Sequence, residues 1–126
     1  MVINYTVGKK KYAEYEDRLL ELISECEELR VKLLRLIEED AAAFEPLSRA
    51  YGIPKDAPGR EEQLEKCLRD AAKAPMDMLR LSCRTEEIAA ELMEKGSALM
   101  QSDVGCAASM ARCAIFSSAL NVRVNT

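Results

Sequence analysis

The chain has 126 residues, of which 48% are hydrophobic and 32% are charged, so it can form one domain with a buried core and is not a disordered tail. Its formal net charge of −4 argues against a dedicated nucleic-acid surface. The absence of histidine excludes His-based acid–base catalysis, Ser-His-Asp triads and most zinc or iron sites. Any chemistry must therefore use carboxylates, lysines, tyrosines or amides.

The first predicted helix is long and runs from about Ala13 to Glu45. Apolar residues recur along it every three or four positions, as on one face of a helix: Leu19, Leu22, Cys26, Leu29, Leu33 and Leu36. Pro46 and then Gly52-Ile53-Pro54 end or kink this helix. A helix of this length spans roughly 50 Å, whereas a compact domain of this size is roughly 36 Å across. We therefore expect the helix to kink or to overhang and contact a second subunit, and we favour a homodimer or larger oligomer.

A second and a third helix are predicted to follow. The second is amphipathic and runs from about Arg60 to Lys73. Pro75 then starts the third helix, since proline favours the first turn of a helix. The third helix runs to Lys95, and Gly96 is its stop signal.

The last predicted helix is capped by Ser102 or Asp103 and extends towards Asn121. Residues 97–126 carry only three charged side chains, and small residues repeat every four positions within them. Small side chains let helix backbones approach closely, so we expect this helix to be enclosed on most sides. The whole pattern predicts an all-α fold, a helical bundle with a long first helix and a small-residue central last helix, as a single domain over residues 1–126.

The cysteines and the apolar runs indicate the compartment. The five cysteines are scattered and never form a CxxC pair: Cys26, Cys67, Cys83, Cys106 and Cys113. A disulfide framework or a thiolate metal site shows tighter spacing, and buried free thiols are typical of the reducing cytoplasm. No apolar run approaches the roughly 20 residues of a membrane span, and no signal peptide opens the chain. We expect a cytoplasmic protein without a metal, whose cysteines pack in the core.

Two carboxylates are candidate functional groups. Asp40 falls on the apolar stripe of the first helix, where a carboxylate must be paired, protonated or facing a cavity. One interpretation is structural: the carboxylate is buried with its hydrogen bonds satisfied, or it is turned out towards solvent. The other is functional: it is an acid or base that lines a pocket. Asp103 stands where the last helix begins, and it is either a plain N-cap or part of a site at that end of the helix.

Basic and amide side chains near the two chain ends are further candidates. A basic run follows Gly8 and is either a solvated loop or an anion site for a carboxylate or phosphate tail: Lys9, Lys10 and Lys11. Asn121 and Asn125 flank Arg123. They are either surface polar residues or amides that reach into a site at the end of the last helix.

Six short stretches resemble, in order and spacing, the formiminotetrahydrofolate cyclodeaminase / methenyltetrahydrofolate cyclohydrolase family. They are TVGKKKY (6–12), EDAAAF (39–44), APM (74–76), KG (95–96), SDVG (102–105) and LNVRVN (120–125). The resemblance implies an all-helical, homodimeric and metal-free enzyme with no cofactor. It implies a tetrahydrofolate substrate that carries a one-carbon unit, with either release of ammonia from the formimino form or hydrolysis of the methenyl bridge.

The resemblance also implies residue roles. By their position in these motifs, Asp40 and Asp103 are expected to form an acid–base or cation-stabilising pair in a cleft within reach of the last helix. Asn121, Arg123 and Asn125 are expected to bind the substrate, with the two amides orienting the pterin. The lysine run is expected to meet the anionic glutamate tail.

The chain departs from this family at its start. The family has a Gly-rich segment and a long small-residue helix before TVGKKKY, and this chain begins at the end of that helix. We therefore expect an apolar groove that a partner subunit or a rearranged terminus covers, and weak or absent catalysis. The alternative is a non-catalytic helical oligomerisation or interaction protein derived from the family. A simple coiled-coil adaptor fits less well, because a two-stranded coil has no enclosed central helix.

Overall fold

Every regular element of the protein over residues 1–125, the part that the computed structural model describes, is a helix. The four α-helices are α1 (Val2–Thr6), α2 (Glu16–Tyr51), α3 (Arg60–Lys95) and α4 (Gln101–Val124). Short 3-10 helices over Lys10–Tyr15 and Ala98–Met100 precede α2 and α4. Thr126, the last residue of the low-charge segment, lies outside the described residues. The prediction of an all-α fold with a long first predicted helix is confirmed.

The long helix α2 extends beyond the predicted end at Glu45. Pro46 lies inside it without ending it, and Gly52 follows its last residue. Pro46 is exposed, so its ring faces solvent and the helix loses only one backbone hydrogen bond there. The apolar stripe is the buried face, as expected from its period: Leu19, Leu22, Leu29, Leu36, Leu47 and Ala50.

The predicted second and third helices are one continuous helix, α3, so the prediction that Pro75 starts a helix is wrong. Pro75 is buried in the interior of α3, and Ala71 and Ala74 beside it are buried too. Packing of this face compensates for the single missing N–H, because tertiary contacts override a local helix signal.

Because α3 is continuous, the expected mismatch between the length of the first helix and the diameter of the domain has to be reconsidered. α2 and α3 both have 36 residues, about 54 Å each, and they pack against one another as an antiparallel hairpin. The molecule is therefore elongated, and α2 does not overhang a compact domain. The expected overhang is absent, and a homo-oligomer stays a prediction.

Two separate clusters of buried residues hold the hairpin together. The larger cluster joins all four helices near the start of α2: Ile3, Leu19, Leu22, Leu29, Ile88, Ala89, Leu92 and Val104. The smaller cluster joins only α2 and α3 near their connecting loop: Leu47, Ala50, Cys67 and Ala71. Since α3 packs against both α2 and α4, α3 is the central helix of the three long ones.

Two ion pairs connect α2 to α3 at the larger cluster. The Arg18 guanidinium donates to both carboxylate oxygens of Glu91 at 2.8 and 3.2 Å, and Lys95 also donates to Glu91 at 2.8 Å. Arg84 donates to both carboxylate oxygens of Glu25. Bidentate pairs of this kind fix geometry as well as adding energy, so they brace the hairpin at this end.

The last helix α4 is not enclosed within the single chain, contrary to the prediction from its low charge. Only Val104, Ala111 and Ser118 of α4 are buried, and they lie on one side of the helix. Its start also differs from the prediction, because α4 begins at Gln101 and no side chain caps it. The low charge therefore belongs to an exposed face of α4.

The cysteines only partly follow the prediction that they pack in the core. Cys67 is buried and Cys26 is half-buried, whereas Cys83, Cys106 and Cys113 are exposed. All five are free thiols. Over the described residues, no helix is long and apolar enough to cross a membrane.

Candidate functional site

A groove of about 430 Å³ lies between α1, α2 and the first turns of α4. We call it the Asp103 groove, after the carboxylate that lines it. Its other lining side chains are mainly apolar and include Val2, Ile23, Leu92 and Met110. A concave and largely apolar site with a few convergent polar groups is the usual form of a small-molecule site.

The polar groups of the Asp103 groove come from three helices. Asp103 is half-buried in the first turn of α4, Asn4 belongs to α1, and Glu27 belongs to α2. These carboxylate and amide side chains can accept or donate hydrogen bonds along the edge of a planar heterocycle. Within residues 1–125, no three His, Cys, Asp or Glu side chains are placed to hold a metal ion. The groove is lined by two carboxylates, one amide and the two thiols of Cys26 and Cys106.

The segment that carries the lysine run is fastened to the connection between α3 and α4. The Ser97 N–H donates to Thr6 Oγ1 at 2.9 Å, and the Ala98 N–H donates to the Tyr12 hydroxyl at 2.8 Å. The Ala98 hydrogen bond lowers the pKa of Tyr12. Gly8 turns the chain between these two anchors with a φ of +89°, a conformation that favours glycine.

The fastened segment places the lysine run at the same end of the bundle as the Asp103 groove. Thr6 ends α1, and the first turn of α1 lines the groove. Lys9 Nζ lies 3.7 Å from the centroid of the Tyr5 ring, a cation–π contact that orients the ammonium group. Lys10 and Lys11 are exposed, so these two charges are available to an anion in solvent.

Asp40 lies far from the Asp103 groove. It is half-buried on α2, and its neighbour Glu39 lines a different cavity together with Asp77 of α3. The residues of α2 that line the Asp103 groove are Ile23, Cys26 and Glu27, which places Asp40 about 20 to 25 Å further along the helix axis. The expected cleft shared by Asp40 and Asp103 is therefore not found within one chain.

The amide and arginine side chains at the end of α4 also lie away from the Asp103 groove. Val122, between Asn121 and Arg123, lines a cavity with Asp77, the same α3 residue that faces Glu39. Asn121 is exposed, and Asn125 Nδ2 donates to its backbone carbonyl at 3.1 Å. The rise of α4 places Asn121 about 27 Å from Asp103. Within one chain, the predicted site residues thus form two groups, and their proposed roles stay predictions.

Sequence reasoning missed Thr6 and Tyr12 as positioning residues for the lysine segment. Both lie inside the TVGKKKY stretch, yet their partners are backbone N–H groups 91 and 86 positions later in the chain. It also missed Asn4 and Glu27 as neighbours of Asp103. No helical period marks these residues, so only the assembled fold identifies them.

Comparison with known proteins gives consistent results over the whole chain. The family model described as formiminotransferase-cyclodeaminase matches residues 1–126. A methenyltetrahydrofolate cyclohydrolase of Methylorubrum extorquens is 36% identical over 99% of this chain and 62% of its own length. A formimidoyltransferase-cyclodeaminase of Sus scrofa is 27% identical over 99% of this chain and 24% of its own length.

A solved structure agrees with these matches in both fold and sequence. The crystal structure of formiminotetrahydrofolate cyclodeaminase from Thermotoga maritima superposes with a TM-score of 0.89 at 32% identity, over 99% of this chain and 60% of the other. The chain thus spans about three fifths of the length of the cyclohydrolase and of the Thermotoga protein.

Proposed function

Since this chain belongs to the formiminotransferase-cyclodeaminase family, we propose that it is an enzyme of folate one-carbon metabolism. The proposed reaction is hydrolysis of 5,10-methenyltetrahydrofolate, or deamination of 5-formiminotetrahydrofolate to the methenyl form. Relatives named for each activity match nearly the whole chain. The cyclohydrolase reaction is the first to test, because the relative with 36% identity carries that name.

The observation that supports this proposal is the Asp103 carboxylate in a mainly apolar groove. The methenyl bridge is a cationic amidinium, and a carboxylate held beside it stabilises that charge. The same carboxylate can accept a proton from the water that attacks the bridge carbon. Asn4 and Glu27 line the groove with Asp103 and would hydrogen-bond to the donors and acceptors on the pterin edge.

The lysine run is a second observation that supports a folate substrate. A folate ends in one or more glutamates, so it combines a planar heterocycle with an anionic tail. The fastened segment presents Lys9, Lys10 and Lys11 at the end of the bundle that holds the groove. A cluster of positive charge attracts such a tail over distances longer than a hydrogen bond.

The test is a pair of parallel assays, one for hydrolysis of 5,10-methenyltetrahydrofolate and one for ammonia release from 5-formiminotetrahydrofolate. We expect Asp103→Asn to lower turnover by about a hundredfold, the usual scale for a general acid or base. Asp56→Asn is the matched control, because Asp56 is exposed in the loop between α2 and α3. Circular dichroism checks that the helical content is unchanged.

The Asp40→Asn variant, measured in the same assays, tests the predicted site residues that lie away from the Asp103 groove. A loss of activity with Asp40→Asn and none with Asp103→Asn would contradict the groove as the reaction site. A loss with Asp103→Asn, alone or together with Asp40→Asn, supports it.

A second candidate function is that of a non-catalytic helical interaction protein. Large apolar side chains exposed on α2 and α4 favour it, among them Phe44 (59% exposed) and Phe116 (64%), since exposed apolar surface marks contact sites. Absence of tetrahydrofolate binding, measured by calorimetry, would favour this second function. In either case we propose a homo-oligomer in the cytoplasm, with the free thiols of all five cysteines in keeping with a reducing compartment.

A further inference from the structure

The lysine segment, residues 6–12, is a loop whose two ends are held at one place. Thr6 Oγ1 accepts a hydrogen bond from the Ser97 N–H at 2.9 Å, and the Tyr12 hydroxyl accepts one from the Ala98 N–H at 2.8 Å. These two N–H groups belong to neighbouring residues, whose Cα atoms are about 3.8 Å apart. The Tyr12 hydroxyl therefore closes the loop.

Tyr12 also contacts two of the lysines directly. Its N–H donates to the Lys9 carbonyl at 3.1 Å, and Lys11 Nζ lies 5.7 Å from the centroid of its ring, at the distance of a cation–π contact. The hydroxyl that bonds to Ala98 thus belongs to the residue that holds these lysines. We expect loss of the hydroxyl to loosen the lysine segment and to leave its charges intact.

The same hydrogen bonds connect the lysine segment to the Asp103 groove. Thr6 ends α1, whose first turn lines the groove, and residues 97–98 lead through a 3-10 helix into α4, which carries Asp103. The first N–H groups of a helix have no partner within it, and the residue before this 3-10 helix provides no side-chain cap. The Tyr12 hydroxyl supplies the acceptor instead, so it fixes the start of the path that leads to Asp103.

We propose that Tyr12 is a positioning residue that holds the lysine segment at a fixed place relative to the Asp103 groove, so that one ligand binds to both. This inference rests on the proposed function, in which the groove takes the pterin of a folate and the lysines take its glutamate. Once one half of such a ligand is bound, the other half meets its subsite at a high effective concentration. That advantage falls when the two subsites move relative to one another, since ordering them then costs entropy.

The test compares tetrahydrofolate with its two halves, tetrahydropterin and p-aminobenzoylglutamate, in calorimetric or NMR titrations of the full chain. Tyr12→Phe removes the hydroxyl and keeps the ring. We expect it to weaken binding of tetrahydrofolate by about threefold to tenfold, the scale of one net hydrogen bond, and to leave the affinity for each half unchanged. Tyr15→Phe is the matched control. Tyr15 belongs to the same 3-10 helix as Tyr12, and it packs against the larger buried cluster, so all three affinities should stay the same.

Gly8 provides a second variant in the same loop. Its φ is +89°, and nothing lies within 4 Å of a Cβ added there, so Gly8→Ala strains the backbone of the loop without causing a clash. We expect the same selective loss of tetrahydrofolate affinity. Gly59→Ala is the matched control, because Gly59 has a φ of +77° and equally open surroundings just before α3. It should leave all three affinities as they are.

The outcomes separate the positioning role from the proposed function. The positioning role is overturned if tetrahydrofolate binds more tightly than either half and both variants retain that advantage. It is also overturned if the variants weaken the halves as much as the whole ligand, since Tyr12 then has a structural role alone. If tetrahydrofolate binds no more tightly than tetrahydropterin, the lysine segment is not a subsite, and the groove still is.

If the wild type binds neither tetrahydrofolate nor its halves, the proposed function fails and the positioning role fails with it. The anchor itself is then checked without a ligand, by amide hydrogen exchange at Ala98 followed by NMR. Faster exchange in Tyr12→Phe than in Tyr15→Phe supports the hydroxyl as the anchor of the lysine segment. Equal exchange rates overturn it.

Discussion

The two ends of the α2–α3 hairpin are held together by different means. At the start of α2, a core shared by four helices and two interhelical ion pairs join the elements. At the connecting loop, only α2 and α3 meet, around four buried residues that include two alanines and a cysteine. The ion pairs Arg49–Glu45 and Arg69–Glu65 at this end each join residues of one helix.

The end of the hairpin at the start of α2, which we call the braced end, is therefore expected to be more stable than the end at the connecting loop, which we call the weak end. A cluster built from several elements loses more contacts on opening than a two-helix contact does, so local stability is unequal along the hairpin. The Asp103 groove and the fastened lysine segment both lie at the braced end. Binding groups need supports that hold them in place, and here the larger core provides that support.

The largest effect on the free energy of unfolding is expected when a buried leucine at the braced end is replaced. Leu22 is fully buried in the four-helix core and Leu47 is 2% exposed at the two-helix end. We expect Leu22→Ala to lower the free energy of unfolding by about 4 kcal/mol and Leu47→Ala by about 2 kcal/mol, because a cavity enclosed on more sides collapses less. Urea unfolding followed by circular dichroism measures both. Equal losses would show that the two ends are equally packed.

A smaller loss of stability is expected when Thr6 is replaced. Thr6 is fully buried and bridges α1 to the start of the α3–α4 connection. Thr6→Val should lower the free energy of unfolding by about 1 to 3 kcal/mol, because the Ser97 N–H is then buried without an acceptor. Thr85→Val is the matched control, since the Thr85 hydroxyl bonds only within α3. If the control variant loses as much stability, the bridge between α1 and residue 97 has no special role.

The weak end can be strengthened at Pro46, which is exposed inside α2. Pro46→Ala restores a backbone N–H to the helix and should raise the free energy of unfolding by about 1 to 2 kcal/mol, part of the gain being offset by a freer unfolded chain. Hydrogen exchange should slow near the connecting loop and stay unchanged at the four-helix core. Pro54→Ala, in the loop, is the control and should change little.

The bracing ion pairs also make the stability of the protein depend on pH. Arg18 and Lys95 lower the pKa of Glu91 from 4.5 to about 2, so the folded state binds fewer protons than the unfolded state between these values. The stabilisation is therefore complete above about pH 5 and is lost as the pH falls through 4.5 towards 2. Urea unfolding over this range should show a weaker pH dependence for Glu91→Gln than for the wild type. Glu94→Gln, an exposed change on the same helix, should leave the dependence as it is.

The parts of the fold that follow from local periodicity could be predicted from the sequence. The stripe from Leu19 to Leu36 is buried as its spacing indicates, because a helix with one apolar face has only one way to bury it. The continuation of α3 through Pro75 could not be predicted, since Pro75 is buried by parts of the fold that lie elsewhere in the sequence. A local helix signal is a weak guide where tertiary contacts compensate for it.

The candidate site shows the same limit. The motifs name Asp40, Asp103 and the lysine run, but their order along the chain carries no distances. Only the assembled hairpin reveals that Asp103 shares an end with the lysines and that Asp40 does not. Likewise, the low charge of α4 predicts a contact surface without stating whether the partner belongs to the same chain.

The two bracing ion pairs also protect the hairpin against slippage. They are spaced by seven residues on both helices and have opposite polarity, with arginine on α2 in one pair and on α3 in the other. A shift of α3 by two turns would preserve much of the apolar contact, yet it would set Arg18 against Arg84 and Glu25 against Asp77. A shift in the other direction would set Glu25 against Glu91. Both misaligned hairpins therefore bring like charges together, so the charge pattern selects one alignment among several that the apolar stripe alone would permit.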